Sequence, residues 1–285
     1  MDNQVEIQKI DAETQELFSR ARVDWSTSKE AIFSEKFEAL LSEPKTKVVS
    51  FPSAIIRWSV AASILVLVGL TTIAFFYSKT IDSPAGSHLT AQLPDGSTVE
   101  MNAETSLKYY PWRWYFQRRV EMEGEAFFSV KKGKKFTVES RLGETTVLGT
   151  TFNIYTRDGN YKVLCLTGKV GVSAAGKYVL LLPNQHAEIQ SGKLVKTENI
   201  SQPENIISWR ENRFIFSSVP FSEVVREIER QYGITISSDL PLSGTISVSF
   251  RKEADVDKIL SMVCKPLGYS FVKNSDNNYK ITGSN

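Results

Sequence analysis

From Trp58 to Tyr77 the chain reads WSVAASILVLVGLTTIAFFY, twenty residues without a charge. At about 1.5 Å rise per residue a helix of that length is roughly 30 Å long, the thickness of a bilayer's hydrocarbon core. Arg57 and Lys79 close the run, and Trp58 and Tyr77 stand where interfacial aromatic belts stand. The run is too long and too far from Met1 for a cleaved signal peptide. A buried core helix of this length is usually interrupted by polar residues. The pattern predicts one membrane span, over residues 55–77, dividing the chain between two compartments.

Lysine and arginine placement orients the span. Lys45, Lys47 and Arg57 precede it closely, whereas after Lys79 there is no Lys or Arg until Lys108. The N-terminal part is therefore expected in the cytoplasm and the rest outside. Residues 1–57 carry 8 Lys and Arg against 10 Asp and Glu, and residues 58–285 carry 26 against 22. Neither balance supplies the concentrated basic face of a nucleic-acid binder, so no direct nucleic-acid contact is expected.

The inner segment, 1–53, is too short for a sizeable core of its own. Residues 4–22 place Ile10, Leu17 and Phe18 on one helical face, and a break containing Trp25 follows. Thr27 with Glu30 has the spacing of a capping box. It precedes a second helical pattern with Phe33, Phe37, Leu40 and Leu41 on one face, ended by Pro44. Two short amphipathic helices cannot cover each other's stripes, so a partner that receives them is expected. Lys45–Ser53 reads as a linker.

Beyond the span, IDSPAGSH (81–88) reads as a linker of turn formers. Short apolar-alternating runs then recur about every ten residues, separated by turns such as Leu93-Pro94-Asp95-Gly96-Ser97. This rhythm predicts an all-β domain over 87–200, a sandwich or a solenoid. From 206 to 283 the pattern becomes strand, helix, strand, twice. Phe221 to Ile236 match Val256 to Phe271 at an offset of 35, including Gly233 against Gly268. This predicts a small α+β domain of two βαβ-like units whose helices cover one sheet.

The sequence carries none of the common catalytic or phosphate-binding motifs, and no enzyme activity or cofactor is expected. Cys165 and Cys264 are expected as buried free thiols, and His88 and His186 lack metal-ligand spacing. Glu121, Glu123 and Glu125 alternate along one strand and read as its solvated face. The aromatic cluster YYPWRWYF (109–116) reads either as packing over a core edge or as exposed rings for a sugar or a lipid headgroup.

A series of local motifs goes further than periodicity. LPDGSTVEMN (93–102), RRVEMEGEAFFSV (118–130), FTVES (136–140), VLGTTFNIY (147–155), LTGKVGV (166–172) and LLPNQHAEI (181–189) occur in order. Together they resemble the periplasmic domain of FecR-like transmembrane anti-sigma factors. The motif residues are Asp95 and Gly96, then Gly124-Glu125-Ala126, then Gly149, Thr150, Phe152 and Asn153. The family's usual P-G-Q turn stands here as Pro183-Asn184-Gln185. Residues 208–281 resemble the C-terminal domain of the Bacteroidetes members, similar to the short signalling domain of TonB-dependent transducers.

The resemblance implies a single-pass inner-membrane protein with its C-terminal domains in the periplasm. It also implies a partner on each side. Outside, the signalling domain of a TonB-dependent outer-membrane transporter would be read. Inside, an extracytoplasmic-function sigma factor would be bound, through Ile10, Leu17, Phe18, Trp25, Phe33, Phe37, Leu40 and Leu41. Family members commonly pass the signal by envelope proteases, including a cut within the membrane. Gly69, Thr71 and Thr72 weaken the span where such a cut needs backbone access. The alternative from a different class is a membrane-anchored glycan- or envelope-binding module without sigma regulation; an anchored envelope enzyme lacks a nucleophile with its base.

Overall fold

The structure, a computed structural model, describes residues 14–16, 28–41, 52–198, 200–252 and 255–283. The chain divides into two compact units, Met1–Ser63 and Ile64–Asn285.

In the first unit a helix spans Lys29–Leu41. Ser28 caps it, its Oγ accepting from the Ala31 N–H at 3.2 Å. The cap is one residue later than the expected Thr27, which lies outside the described residues, and Ala31 rather than Glu30 stands three residues beyond it. A second helix, Ser53–Phe76, begins in this unit and runs unbroken through the uncharged stretch. Among the described residues it is the one helix long and apolar enough to cross a membrane.

Beyond that helix the second unit continues with thirteen strands. They are β1 (Lys79–Ser83), β2 (Leu89–Gln92), β3 (Thr98–Met101), β4 (Thr105–Tyr109), β5 (Arg118–Ser129), β6 (Phe136–Glu139) and β7 (Gly143–Val147). After them come β8 (Thr151–Arg157), β9 (Asn160–Cys165), β10 (Val170–Ala174), β11 (Lys177–Leu181), β12 (His186–Gln190) and β13 (Lys193–Thr197). The twelve-residue β5 belongs to two layers. Its first half pairs with β4 and β6, and its second half with β3 and β8. One layer runs β1-β4-β5-β6-β7-β10-β11 and the other β2-β3-β5-β8-β9-β12-β13. The layers diverge from β5, and β11 approaches β12 and β13 on the far side, so the sheet nearly closes. Of the two expected architectures this is the sandwich: neighbouring strands are antiparallel except β5 with β6, and no rungs stack as in a solenoid.

Alternation explains the core. β4 buries Thr105, Leu107 and Tyr109 and leaves Ser106 and Lys108 part-exposed. Leu107, Val120, Phe128, Phe136, Phe152, Val163 and Leu181 are all fully buried in one cluster between the layers. Phe128 stacks on Phe152 at 5.1 Å between ring centroids. Each such ring contributes about 1.5–3 kcal/mol over leaving it in water.

Three expectations fail here. Ile81–Ser83, expected as linker, form part of the edge strand β1, paired with β4. An edge strand with one exposed side needs little apolar alternation, so KTIDS hides its nature. Glu125, expected with Glu121 and Glu123 on a solvated face, is only 7% exposed. The three do share a side of β5, yet the C-terminal part of the chain covers the second half of that side, Phe127 included.

The third concerns that C-terminal part. Strand β14 (Arg213–Pro220), helix Phe221–Tyr232 and β15 (Thr235–Ser238) are followed by β16 (Thr245–Arg251), helix Val256–Cys264, β17 (Tyr269–Ser275) and β18 (Asn278–Gly283). Both βαβ-like units form, but they do not share one sheet. β14 pairs with β16, while β15, β18 and β17 make a separate sheet with β18 in the middle. Each unit thus sends its first strand to one sheet and its last to the other. The matched glycines take matched conformations: Gly233 and Gly268 are both left-handed caps, φ 64° and 73°. Phe221, Val224, Val225 and Ile228 from one helix and Ile259, Leu260 and Val263 from the other fill the core between them.

Candidate functional site

The Lys29–Leu41 helix keeps its stripe uncovered. Phe33, Phe37, Leu40 and Leu41 are 67%, 48%, 81% and 68% exposed. Phe33 and Phe37 stack one turn apart, 5.2 Å between centroids, and so present one apolar ridge. The other expected contact residues, Ile10, Leu17, Phe18 and Trp25, lie outside the described residues.

In the apolar helix Gly69, Thr71 and Thr72 sit in continuous α-helix. The Thr71 hydroxyl reaches Leu67 O and Val68 O, both at 2.9 Å, and Thr72 reaches Val68 O at 2.7 Å. Their polar groups are thereby satisfied within the helix, as an apolar medium demands, at the cost of loading carbonyls already used by the helix ladder. Gly69 leaves the backbone bare, with no atom near where a side chain would be.

The family motif residues divide between a turn and a buried joint. Asp95 accepts from the Ser97 N–H at 2.9 Å and the Ser97 hydroxyl at 2.8 Å, while Gly96 turns the chain at φ 78°. Arg118 Nε donates to the same carboxylate at 2.7 Å, and its other nitrogens reach the carbonyls of Lys131 and Lys134. Burial pushes the Asp95 carboxyl up, but the bonds from Ser97 and Arg118 outweigh it and hold it below the usual range. Asp95 is thus a staple between the β2–β3 turn and the start of β5.

The Gly124-Glu125-Ala126 and Gly149-Thr150-x-Phe152-Asn153 pieces meet across β5 and β8. Gly124 has φ 117°, and a Cβ there would lie 2.7 Å from Thr105 Cα. That close approach lets Thr105 Oγ1 accept the Glu125 N–H at 3.1 Å. Ala126 and Phe152 face the β core, fully buried. Glu125 and Asn153 face the other way and bond directly, Asn153 Nδ2 to Oε1 at 3.0 Å; Asn102 Nδ2 donates to Oε2 at 2.8 Å. Gly149 (φ 150°) lets the Lys132 backbone approach, and Thr150 O accepts the Val130 N–H.

The second core closes over this cluster. Gln231 Nε2 lies 2.6 Å from Asn102 Oδ1 and 2.8 Å from Glu227 Oε1. Arg157, 6% exposed, stands 3.7 Å from Glu227 and donates to Thr105 Oγ1 at 3.1 Å. Arg230 bridges Glu227, Asp158 and Glu104. At the rim Arg210 grips Glu100 with two nitrogens, 2.8 and 2.6 Å, and lies 3.7 Å over the Phe127 ring. Burial pushes Glu125 up to about 7, with Glu227 adding to the shift and Arg157, Asn153 and Asn102 opposing it. Beside it lies a cavity of about 360 Å³ between β5, β8, β9 and β12 on one side and Trp209, Phe214 and Phe216 on the other. Asn153 Oδ1, Trp209 Nε1 and Arg213 Nε border it without a hydrogen-bond partner in the chain. It has room for several waters or a small polar group.

Asn102, Arg157, Glu227, Arg230 and Gln231 do not stand out in the sequence. Their signal is faint: Glu227 and Gln231 are one turn apart on an amphipathic helix, an ordinary solvated pair by pattern alone. Both cysteines are buried and free, and burial pushes each thiol up to about 11, which leaves it unreactive. Among the described residues no group of three or more His, Cys, Asp or Glu is placed to hold a metal.

Comparison with known proteins agrees with the motifs. The family model described as FecR protein matches residues 79–171, and that described as FecR, C-terminal, matches 213–282. Two crystal structures of a candidate anti-sigma factor from Parabacteroides distasonis ATCC 8503 are similar, with TM-scores of 0.66 and 0.65. Each is 27% identical over 73% of this chain and 100% of its own. No curated protein matches. With the two models covering more than half of its length, and their matched regions joined by the Gln231–Asn102 hydrogen bond, the chain belongs to the FecR family.

Proposed function

We propose that this chain is a membrane-anchored anti-sigma factor that crosses the inner membrane once, N-terminus in the cytoplasm. The uncovered ridge of Phe33, Phe37, Leu40 and Leu41 carries the reading. A thirteen-residue helix with its large apolar side chains in water is marginal alone and gains by lying in an apolar groove of a partner. In a family whose solved relatives are described as anti-sigma factors, that partner is a sigma factor, of the extracytoplasmic-function type.

On this reading the outer part receives a signal from a TonB-dependent transporter, and the nutrient-uptake genes of the bound sigma factor respond. A single helix transmits little by tilting, so release of the inner segment by proteolysis within the span is the economical relay. Replacing Gly69, Thr71 and Thr72 by leucine should block that release, seen as persistence of the full-length chain under inducing conditions; unchanged processing would refute the cleavage region.

Co-purification tests the binding claim. The full chain, extracted from native membranes in mild detergent, should bring down one sigma factor. The Phe37→Asp/Leu40→Asp variant should lose it: two central apolar anchors are together worth about 4 kcal/mol, roughly a thousandfold in affinity. Equal recovery with both chains, or no sigma factor with either, would overturn the proposal.

A further inference from the structure

The aromatic cluster after β4 splits in two. Tyr109 and Trp114 are buried and meet edge-on at 5.6 Å, and Trp114 also packs on Phe136 at 5.9 Å. Trp112, Tyr115 and Phe116 point the other way and are 65%, 80% and 74% exposed. Trp114 thus plugs the turn into the β core, with Trp112, Tyr115 and Phe116 left exposed around it. Three large rings together in water call for a ligand or a surface.

The position of the turn identifies the surface. Arg113 Nε donates to Phe75 O at 2.8 Å, and its guanidinium lies over the rings of Phe75 (4.2 Å), Phe76 (5.0 Å) and Tyr110 (4.4 Å). Phe75 and Phe76 end the apolar helix. The outward rings are therefore tied to the level at which that helix stops. Beside them is the exposed loop 131–135, KKGKK. Lys134 Nζ sits 5.4 Å over the Tyr115 ring, and the Gly133 N–H bonds to the carbonyl of Leu148, itself 65% exposed. Aromatic rings, an exposed leucine and four lysines at the end of an apolar helix match the chemistry of a bilayer interface: rings at the headgroup level, lysines toward anionic lipid.

We propose that Trp112, Tyr115, Phe116 and the 131–135 loop form a lipid-contact face. It seats the β layers on the membrane at the foot of the span, with anionic headgroups against the lysines. The proposal rests on the reading of the apolar helix as a membrane span. Through Arg113 and this face, the orientation of the β layers is fixed against the bilayer rather than left to a free linker.

Spin-label accessibility tests it with the full chain in phosphatidylcholine vesicles, with and without phosphatidylglycerol. Nitroxides are placed by Leu67→Cys in the helix, Gln117→Cys beside the turn and Tyr178→Cys on β11 at the far edge of the same layer; Cys165 and Cys264 are buried. The label at 67 should be open to oxygen and closed to a water-soluble nickel complex. The label at 117 should be shielded from nickel relative to that at 178, more so with phosphatidylglycerol. Trp112→Ser, Phe116→Ser and glutamine at the four lysines should together abolish that shielding without moving the label at 67. If 67 is in hydrocarbon while 117 is as open to nickel as 178, the lipid-contact face is refuted and the span stands. If 67 is itself open to nickel, the span reading fails and this proposal with it. No protein but this chain is present, so shielding at 117 excludes any other protein as the occupant; shielding that does not respond to phosphatidylglycerol would point to a second copy of the chain and refute the lipid-contact face.

Discussion

The Lys29–Leu41 and Phe221–Tyr232 helices both gather large apolar residues on one side, yet their surroundings are opposite. In the second, Phe221, Val224, Val225 and Ile228 are at most 1% exposed beneath two small sheets of the same chain. In the first, Phe33, Phe37, Leu40 and Leu41 are between 48% and 81% exposed. An amphipathic pattern announces that a stripe will be covered; it does not say by whom. Where the chain supplies the cover, the stripe is core and its loss costs folding. Where no described residue covers it, the stripe is, on the proposed reading, binding energy held in reserve, and its loss should cost only the complex.

The largest effect that could break this contrast is a charge placed on each stripe. Ile228→Asp buries an unpaired carboxylate and should cost about 4 kcal/mol or more, stripping amide-exchange protection from residues 208–283. Leu40→Asp should shift the melting free energy by no more than about 0.5 kcal/mol. Equal effects would mean the first stripe is also structural.

Next comes the joint that lets the C-terminal core cover β5. Gly124→Ala needs φ 117° and puts a methyl 2.7 Å from Thr105 Cα, so it should cost about 2–4 kcal/mol, read as a lower denaturant midpoint. A neutral result would mean β5 does not need its close approach to Thr105.

A pH dependence follows from Glu125. Its carboxyl is raised from 4.5 to about 7 in the folded chain, so the folded state holds a proton that the unfolded state gives up. The stabilisation is complete below pH about 4.5 and lost as pH rises through about 7, by at most about 3 kcal/mol. Glu125→Gln should flatten that part of the stability–pH curve: its amide can donate to Asn153 Oδ1, which is unpartnered here, once one amide group turns over. Parallel curves for the two proteins would place the titration elsewhere. The smallest effect belongs to the outward rings: Phe116→Ser, 74% exposed in the wild type, should leave stability in detergent within about 0.5 kcal/mol.

Much of this is legible in the residues. The helices at 29–41, 221–232 and 256–264, the uninterrupted apolar helix and most strands follow from period and punctuation, since each depends on neighbours in sequence. Glu125 shows where legibility stops. Alternation assigns it to a side of β5 correctly, but what covers that side is a helix more than 90 residues later, which no local pattern encodes. The same holds for Asn102 with Gln231 and Glu100 with Arg210, and for the division of the five C-terminal strands between two sheets. The aromatic cluster leaves two readings open, and the structure divides its rings between burial and exposure: Trp114 packs at the core edge while Trp112, Tyr115 and Phe116 stay out.

The most direct test of the central claim is photo-cross-linking in living cells from a diazirine amino acid at Phe37, with Glu35, on the opposite side of the same helix, as control. Position 37 should give a covalent adduct with a sigma factor, and position 35 much less. An adduct with any other protein in its place, equal yields from the two positions, or no adduct from either would contradict it.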